Sequence, residues 1–127
     1  MAKIFITEDD PLMIRVYEKT LKLYGYDVES AADGEEALAK LLVMKEQPNL
    51  ILLDIMMPKM NGLELLQKLK AEASLKEIPV VFLTNLAGKE DEEKGLALGA
   101  TAYLVKSQYE PKEIAEKIKG IIASAKK

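Results

Sequence analysis

Five short runs of apolar and β-branched residues recur along the chain, and each is followed by a segment whose apolar positions have helical spacing. The runs are Lys3–Thr7, Tyr26–Ser30, Asn49–Asp54, Pro79–Thr84 and Ala102–Lys106. Strands that alternate with helices predict a parallel sheet with right-handed crossover connections. The stretch LILL at residues 50–53 shows no polar alternation, which is typical of a central strand covered on both faces.

Capping residues predict where the helices begin and end. The predicted starts are Asp10 before Pro11, Asp33 with Glu36, Asn61 with Glu64, and Pro111. Gly25 and Gly99 stand where the first and fourth helices are expected to end. The fourth helix, near Lys89–Leu98, is highly charged, and Gly95 interrupts it at a cost of about 1 kcal/mol relative to Ala.

Two helices carry an apolar stripe that we expect to face the sheet. The stripe of the third helix is Leu65, Leu66, Leu69 and Ala73, and that of the last helix is Ile114, Ile118, Ile121, Ile122 and Ala125. The pattern is thus a strand and a helix repeated five times, which predicts an α/β fold.

Composition narrows the possible functions. The 127 residues predict a single domain, 1–127, and the net charge of -3 without a basic stripe argues against a nucleic-acid partner. No apolar run approaches the roughly 20 residues that span a bilayer, and the N-terminus is not a secretory signal, so we expect no membrane association and a cytoplasmic protein. The absence of Cys and His excludes disulfides, thiolate nucleophiles, a Ser-His-Asp triad and His-ligated metals.

Polar residues stand at the carboxyl ends of four predicted strands. They are Glu8, Asp9 and Asp10 after the first strand, Asp54 at the third, Thr84 at the fourth and Lys106 at the fifth. Because ligands of an open parallel sheet bind beyond these ends, the fold is expected to bring the groups into one crevice. Clustered carboxylates repel each other unless a cation is present, and Mg²⁺ suits oxygen ligands. A carboxylate held there can attack phosphorus and form an acyl phosphate.

Each of these residues also has an ordinary structural explanation. Acidic residues before a helix usually cap it, which taken alone is the favoured role of residues 8–10. Asp54 could begin a turn, Thr84 could be a β-branched strand residue, and Lys106 could be a solvated surface lysine. The coincidence of all four sites at carboxyl strand ends favours the functional interpretation.

The stretches IFITEDDPLMIRVY, AADGEEAL, NLILLDIMMPKMNGLELL, VVFLTN and GATAYLVKS resemble the receiver domains of two-component response regulators, the CheY-like superfamily. The third stretch is the most specific, because an apolar strand ends in Asp and is followed by Met-Pro and Asn-Gly at fixed offsets. The resemblance covers nearly the full chain. It implies a flavodoxin-like, doubly wound (βα)5 fold with a five-stranded parallel sheet in strand order 2-1-3-4-5.

The resemblance implies a role for each candidate residue. Asp54 matches the phosphoacceptor, Lys106 the phosphate-binding lysine, and Thr84 with Tyr103 the switch pair. The implied Mg²⁺ ligands are Glu8, Asp9, Asp54 and the backbone carbonyl of Met56. The implied partners are a sensor histidine kinase or a histidine phosphotransfer protein, and an unknown downstream protein. The latter docks on the surface of the fourth helix, fifth strand and fifth helix. Such a switch catalyses its own phosphorylation and slow dephosphorylation but turns over no dedicated substrate.

Three features depart from the family pattern. Ser107 stands where proline with a cis bond is usual. A cis bond before a residue other than proline costs roughly 2.5–4 kcal/mol. The bond is therefore either trans, with an altered loop, or cis at a cost that the fold imposes. Asn85 stands where a small residue is usual. Met56 and Leu86, the positions that flank the phosphoryl site, are apolar and cannot orient an attacking water. We therefore predict slow hydrolysis of the phosphorylated form.

Two other functions remain open. A degenerate receiver that only binds partners is compatible with Ser107, although the intact acidic, hydroxyl and lysine positions argue against it. An aspartate-nucleophile phosphohydrolase would share the carboxylate–magnesium chemistry, but it normally carries an acid two residues after the nucleophile, where this chain has Met56. Without a DNA-binding region, the output is expected to be a protein–protein contact, unless the chain is one domain of a longer protein.

Overall fold

The computed structural model describes residues 2–125. The strands are β1 (Lys3–Thr7), β2 (Asp27–Ala31), β3 (Leu50–Leu53), β4 (Val80–Thr84) and β5 (Ala102–Val105). The helices are α1 (Pro11–Leu23), α2 (Gly34–Val43), α3 (Gly62–Ala71), α4 (Lys89–Ala97) and α5 (Pro111–Ala125). A 3-10 turn at Lys106–Gln108 connects β5 to α5. Strands and helices thus alternate as the sequence predicts.

The five strands form one parallel sheet in the order β2-β1-β3-β4-β5. This confirms the predicted α/β fold class and the strand order that the family resemblance implied. Every residue of β3 is buried, as its uninterrupted apolar run predicts. Within residues 2–125 no helix has both the length and the apolar character that a bilayer crossing requires.

The sheet separates two apolar cores, because alternate residues of a strand point to opposite faces. Phe5, Ile51 and Phe82 pack with the buried leucines of α2 and α3 on one face. Ile4 and Leu52 pack with α1 and α5 on the other face. The helices therefore cover both faces, and the carboxyl ends of the strands stay accessible between them.

The predicted N-caps are occupied by the expected side chains. Asp10, Asp33 and Asn61 each accept a hydrogen bond from a first-turn N–H of α1, α2 and α3, at 3.0, 2.8 and 2.9 Å. In a capping box the Glu36 carboxylate would accept a hydrogen bond from the N–H of Asp33. Here it accepts from the N–H of Ala32, one residue earlier, at 2.6 Å. These bonds satisfy backbone donors that the helices cannot pair internally.

The first and fourth helices end at the predicted glycines. Gly25 and Gly99 have φ of +90° and +112°, a region that glycine enters without steric cost. After α1 the N–H of Gly25 donates to the carbonyl of Lys22, and the N–H of Tyr26 donates to that of Leu21, at 3.0 and 3.2 Å. This pair of bonds is a Schellman cap. Since Tyr26 belongs to the cap, β2 begins one residue later than predicted.

Other predicted boundaries differ by one residue or two. Asn49, Asp54, Pro79 and Lys106 lie outside the strands to which they were assigned. Pro79 has no N–H for the ladder. The expectation that Ala73 lies on the stripe of the third helix is wrong, because α3 ends at Ala71 and Ala73 is exposed.

The apolar stripe predicted for the last helix is only partly buried. Ile114, Ile118 and Ile122 are buried, Ile121 is partly buried, and Ala125 is exposed.

Gly95 has a packing role in α4. A Cβ atom at this position would lie 3.0 Å from the ring of Phe82 and 3.4 Å from that of Tyr103. The residue that weakens α4 as a helix therefore allows it to approach β4 and β5 closely.

Candidate functional site

Strand register brings Glu8 and Asp54 together. Thr7, the last residue of β1, pairs with Leu53, the last residue of β3, so the two carboxylates follow neighbouring strands at the same level. The N–H of Asp54 also donates to the carbonyl of Thr7 at 3.1 Å. Both acidic residues are buried, with exposed fractions of 3% for Glu8 and 6% for Asp54. A pair of buried carboxylates requires a positive partner.

Lys106 supplies that partner. Thr84 pairs with Val105 at the ends of β4 and β5, and Lys106 is the next residue of the chain. Its Nζ lies 2.9 Å from Asp54 Oδ2 and also donates to Glu8 Oε1. The side chain is only 10% exposed, so Lys106 is not the solvated surface lysine of the alternative interpretation.

Burial and hydrogen bonding shift the pKa values of Glu8 and Lys106. Burial raises the pKa of Glu8, although hydrogen bonds from Lys106 and from the N–H of Asp10 oppose the shift. Burial alone would lower the pKa of Lys106, but its hydrogen bonds to Asp54 and Glu8 outweigh burial and raise it. Lys106 is therefore charged at neutral pH and is a fixed positive group in the site.

The residues fit a hard divalent cation. One carboxylate oxygen from each of Glu8, Asp9 and Asp54 lies within 4.8 Å of the other two. Asp9 is exposed, whereas the other two are buried, so a cation could enter from the Asp9 side. Three carboxylates face one ammonium group, which leaves the cluster negative. Asp10 caps α1, as predicted, and its N–H donates to Glu8 Oε2 at 3.1 Å.

These groups line a cavity of about 580 Å³. It contains the six predicted residues Glu8, Asp9, Asp54, Met56, Thr84 and Lys106, together with Asp10, Met13, Asn85 and Ser107. A second cavity of similar volume lies between β5 and α5, and Lys117 is its one charged lining residue among those described. Of these two cavities, the first is therefore the one whose described lining has the carboxylates for a cation and the ammonium group for a phosphoryl group.

Tyr103 lies outside the cavity and is connected to Thr84 through Leu86. The Thr84 hydroxyl accepts from the N–H of Leu86 at 3.3 Å, and the Tyr103 hydroxyl donates to the carbonyl of Leu86 at 2.7 Å. The Tyr103 ring packs against Phe82 with a centroid distance of 5.9 Å. The Leu86 side chain is partly buried against the core and is not among the residues that line the cavity. Its place beside the phosphoryl site stays a prediction.

The loop after β5 forms without a cis bond. All peptide bonds of the described residues are trans, including the one between Lys106 and Ser107. Lys106–Gln108 form a 3-10 turn, and the N–H of Tyr109 donates to the carbonyl of Lys106 at 3.4 Å. Of the two possibilities that the sequence left open, the trans bond is therefore the one observed.

Two residues of α1 near the cluster were missed by sequence reasoning. Met13 lines the cavity, and Tyr17 is only 3% exposed one turn further along. Burial raises the pKa of Tyr17, and the nearby charge of Lys106 opposes the shift. Their spacing of three and seven residues from the cap Asp10 places them on one side of α1, and this was the available signal.

Gly62 packs against the backbone of Asp54 and Ile55. A Cβ atom there would overlap the backbone carbonyl oxygen of Asp54 and contact the Cα of Ile55. The N–H of Gly62 donates to the carbonyl of Ile55 at 2.9 Å. The Asn-Gly pair of the third matching stretch therefore caps α3 and lets its first turn pack directly on the backbone of Asp54.

Known proteins are similar to this chain in sequence. The family model described as response regulator receiver domain matches residues 4–119. A probable transcriptional regulator ycf27 from Porphyridium aerugineum is 42% identical over 120 residues, which cover 94% of this chain and 48% of the regulator. The chain thus spans about half the length of the ycf27 regulators that it matches.

Known structures share the fold. A CheY-like response regulator receiver domain protein from Methanospirillum hungatei JF-1 matches with a TM-score of 0.88 and 33% identity, over 99% of this chain and 97% of that chain. The phosphorylated cyanobacterial phytochrome response regulator RcpA matches with a TM-score of 0.81 and 33% identity, over 94% and 90%. Sequence, fold and site agree, and the chain belongs to the response regulator receiver domain family.

Proposed function

We propose that Asp54 is the phosphoacceptor of this receiver domain and that it takes its phosphoryl group from a phosphohistidine. The donor would be a sensor histidine kinase or a histidine phosphotransfer protein. The observation that carries the proposal is the bridge from Lys106 Nζ to Asp54 and Glu8 at the base of an open cavity. The related regulator RcpA is described as phosphorylated, which supports the same chemistry here.

The transfer step follows from the groups around Asp54. A carboxylate oxygen of Asp54 attacks phosphorus while the P–N bond of phosphohistidine breaks, and the electron pair of that bond stays on the imidazole nitrogen. The product is an acyl phosphate on Asp54. Lys106 lies within hydrogen-bond distance of the attacking carboxylate, so its charge stabilises the negative charge that develops on the phosphoryl oxygens.

Glu8 and Asp9, one oxygen of Asp54 and the backbone carbonyl of Met56 are the groups that would hold Mg²⁺. When bound, the ion would neutralise phosphoryl oxygens and favour the in-line geometry of transfer. The closeness of the three carboxylates supports this ligand set. The N–H of Met56 donates to Asp54 Oδ1 at 3.4 Å, so this residue lies beside the acceptor.

Thr84 and Tyr103 would form the switch. The Thr84 hydroxyl accepts from Leu86, and its own hydrogen can be donated to a phosphoryl oxygen. A rotation toward that oxygen would release the N–H of Leu86, whose carbonyl is bound by Tyr103. We infer that phosphorylation changes the loop between β4 and α4 and, through Tyr103, the surface of α4, β5 and α5, where a downstream protein would dock.

Receiver domains are signalling modules and not enzymes with a dedicated substrate. In this chain the position two residues after Asp54, where an aspartate-nucleophile phosphohydrolase carries its general acid, is Met56, whose side chain lines the cavity. A thioether cannot protonate a leaving group, so repeated turnover of a phosphoester lacks its general acid here. The phosphohydrolase alternative is therefore not favoured.

Intact-protein mass spectrometry after incubation with acetyl phosphate and Mg²⁺ tests the proposal. The wild type should gain one phosphoryl group in a magnesium-dependent manner, and Asp54→Asn should gain none. Asp33→Asn is the matched control, because Asp33 caps α2 outside the cavity, and it should behave like the wild type. A phosphorylated Asp54→Asn protein would contradict the acceptor assignment. A wild type that stays unmodified, even with a phosphorylated kinase, would favour the receiver that only binds partners.

A further inference from the structure

The loop between β3 and α3 meets the first residue of α2. Gly34 is buried, and a Cβ atom there would lie 2.5 Å from the carbonyl oxygen of Met60 and 2.8 Å from its Cβ. We propose that Gly34 is a positioning residue, which acts through Met60 to hold this loop in the shape that presents the Met56 carbonyl to Mg²⁺. The inference rests on the proposed function, because it takes Met56 as a ligand of the cation.

The base of the loop is closed without help from α2. The N–H of Gly62 donates to the carbonyl of Ile55 at 2.9 Å, and Ile55 is buried. A Cβ atom at Gly62 would overlap the carbonyl oxygen of Asp54, so the start of α3 packs directly on this backbone. The two ends of the loop are therefore fixed to each other, and its tip is the part that another element must hold.

The tip has a strained backbone. Lys59 has a φ of +69°, the one positive value at a residue other than glycine within residues 2–125. The N–H of Met60 donates to the carbonyl of Pro58 at 2.8 Å, so these three residues form the rare γ-turn with positive φ. Such a conformation persists where the surrounding structure determines it. A contact from outside the loop must therefore stabilise the turn.

Gly34 supplies that contact. Because glycine has no side chain, the backbone of Met60 can pack on the first turn of α2, while the Met60 side chain is partly buried against the core. The ion pair between Lys59 and Asp33 spans 3.7 Å, but the Lys59 side chain is 62% exposed, so this pair adds little. Close packing at Gly34 is thus the stronger restraint on the position of Met60.

A displacement of Met60 would reach the proposed cation ligand through residues 56–59. Pro58 has a fixed φ, and the γ-turn confines Lys59. These two residues cannot absorb the movement, so it is passed to the peptide groups that follow Met56. The direction of the Met56 carbonyl therefore depends on the contact between Met60 and α2.

Asp54 itself should stay in place when the tip moves. Its side chain is held by Lys106 Nζ at 2.9 Å, and the residue is only 6% exposed directly after β3. We therefore expect a change at Gly34 to lower the affinity for Mg²⁺ while the carboxylate stays competent to receive a phosphoryl group.

A titration with MgCl₂, followed by amide chemical shifts in NMR spectra, tests the inference on the wild type and Gly34→Ala. Both Cβ distances at Gly34 are below 3.0 Å, so the alanine must displace the Met60 backbone. Gly34→Ala should bind Mg²⁺ about tenfold more weakly, as expected when a group that orients a metal ligand is lost. Without Mg²⁺, hydrogen exchange at the amide of Met60 should be several-fold faster than in the wild type.

Ala39→Gly is the matched control. Ala39 is exposed in the interior of α2, and glycine there weakens the helix through its low propensity. This variant should therefore lose stability but keep its Mg²⁺ affinity within about twofold of the wild type. An equal loss of affinity in both variants would overturn the inference, because general weakening of α2 would then explain it.

Phosphorylation by acetyl phosphate separates positioning from chemistry. In Gly34→Ala the Mg²⁺ concentration for half-maximal rate should rise about tenfold, whereas the rate at saturating Mg²⁺ should stay within about threefold of the wild type. Met60→Ala is a second variant that can be measured even if Gly34→Ala does not fold. It removes the side chain that anchors the tip, and it should weaken Mg²⁺ binding several-fold.

Two further outcomes would contradict the inference in distinguishable ways. Mg²⁺ affinity within about twofold of the wild type in Gly34→Ala, or in Met60→Ala if the first variant does not fold, would overturn the role of Gly34 and leave the proposed function in place. A wild type that binds no Mg²⁺ would overturn the proposed magnesium site and the role of Gly34 together.

Discussion

The hydroxyl group of Tyr103 donates a 2.7 Å hydrogen bond to the carbonyl oxygen of Leu86. The N–H of Leu86 donates to Thr84 Oγ1 at 3.3 Å. Thr84 and Tyr103, the proposed switch residues, therefore bind the backbone N–H and the backbone carbonyl of Leu86, which lies in the loop between β4 and α4. A change at either side chain removes a restraint on the same loop, which gives the switch a physical connection that does not require direct contact between Thr84 and Tyr103.

Tyr103→Phe should loosen this loop. The variant keeps the ring that packs against Phe82 but loses the bond to Leu86, which should lower the free energy of unfolding by about 1 kcal/mol. Hydrogen exchange should be several-fold faster at the amide of Leu86. Tyr109→Phe is the control, since the ring that contacts Lys117 remains. Unchanged exchange at Leu86 in Tyr103→Phe would show that the hydroxyl does not restrain the loop.

The same hydroxyl should make stability depend on alkaline pH. Burial, with the nearby charges of Asp91 and Glu92, raises the pKa of Tyr103 to about 12. An unfolded tyrosine ionises at about pH 10. Between these values the unfolded chain has released a proton that the folded chain retains, so the free energy of unfolding falls as pH rises.

Urea denaturation of the wild type and Tyr103→Phe measures this effect. The stability difference between the two proteins should be constant from about pH 7 to about pH 9 and should shrink above about pH 10. Other tyrosines titrate in both proteins and cancel. A difference that stays constant to about pH 11.5 would contradict the raised pKa of Tyr103.

Gly95 in the interior of α4 and Gly120 in the interior of α5 should respond oppositely to alanine. A Cβ atom at Gly95 would meet the ring of Phe82 at 3.0 Å, whereas one at Gly120 in α5 would have no neighbour within 4 Å. Gly120→Ala should stabilise the protein by up to about 1 kcal/mol through helix propensity. Gly95→Ala should destabilise it by about 1 kcal/mol, because the overlap exceeds the gain in propensity. Equal stabilisation in thermal unfolding would show that α4 can move away from the sheet.

Periodicity in the sequence predicted the five strands, the five helices and the edge of the sheet at which the site lies. This succeeded because parallel strands place their carboxyl ends at one edge whatever the loops do. The wrong boundaries arose where a residue belongs to a cap or a turn and not to the regular element that its side chain suggested. Tyr26 caps α1, and Ala73 lies in a turn in which Leu75 supplies the next buried side chain.

Pairings across the site could not be predicted from spacing. Lys106 and Glu8 are 98 residues apart in sequence, and nothing in the pattern indicates that one ammonium group bridges Glu8 and Asp54. The connection between Thr84 and Tyr103 through the backbone of Leu86 could not be predicted from spacing either. Its two bonds depend on the positions of backbone groups in a loop, which hydrophobic patterning does not define.

The phosphoryl lifetime should be controlled at position 56. Met56 lines the cavity with a side chain that is 64% exposed and cannot orient an attacking water, so the phosphorylated wild type should hydrolyse slowly. Met56→Asn introduces a carboxamide, a group that can orient such a water, and should shorten the lifetime by about tenfold. Met57→Asn is the control, because Met57 does not line this cavity.

Decay of the phosphorylated protein, followed by mass spectrometry after removal of the donor with Mg²⁺ present, gives the lifetime of each variant. Asn85 is the residue that could defeat the prediction, since it lines the cavity and carries a carboxamide of its own. Suppose that the wild type decays as fast as Met56→Asn and that Asn85→Ala decays more slowly. Asn85 would then be the group that orients the water, and position 56 would not control the lifetime.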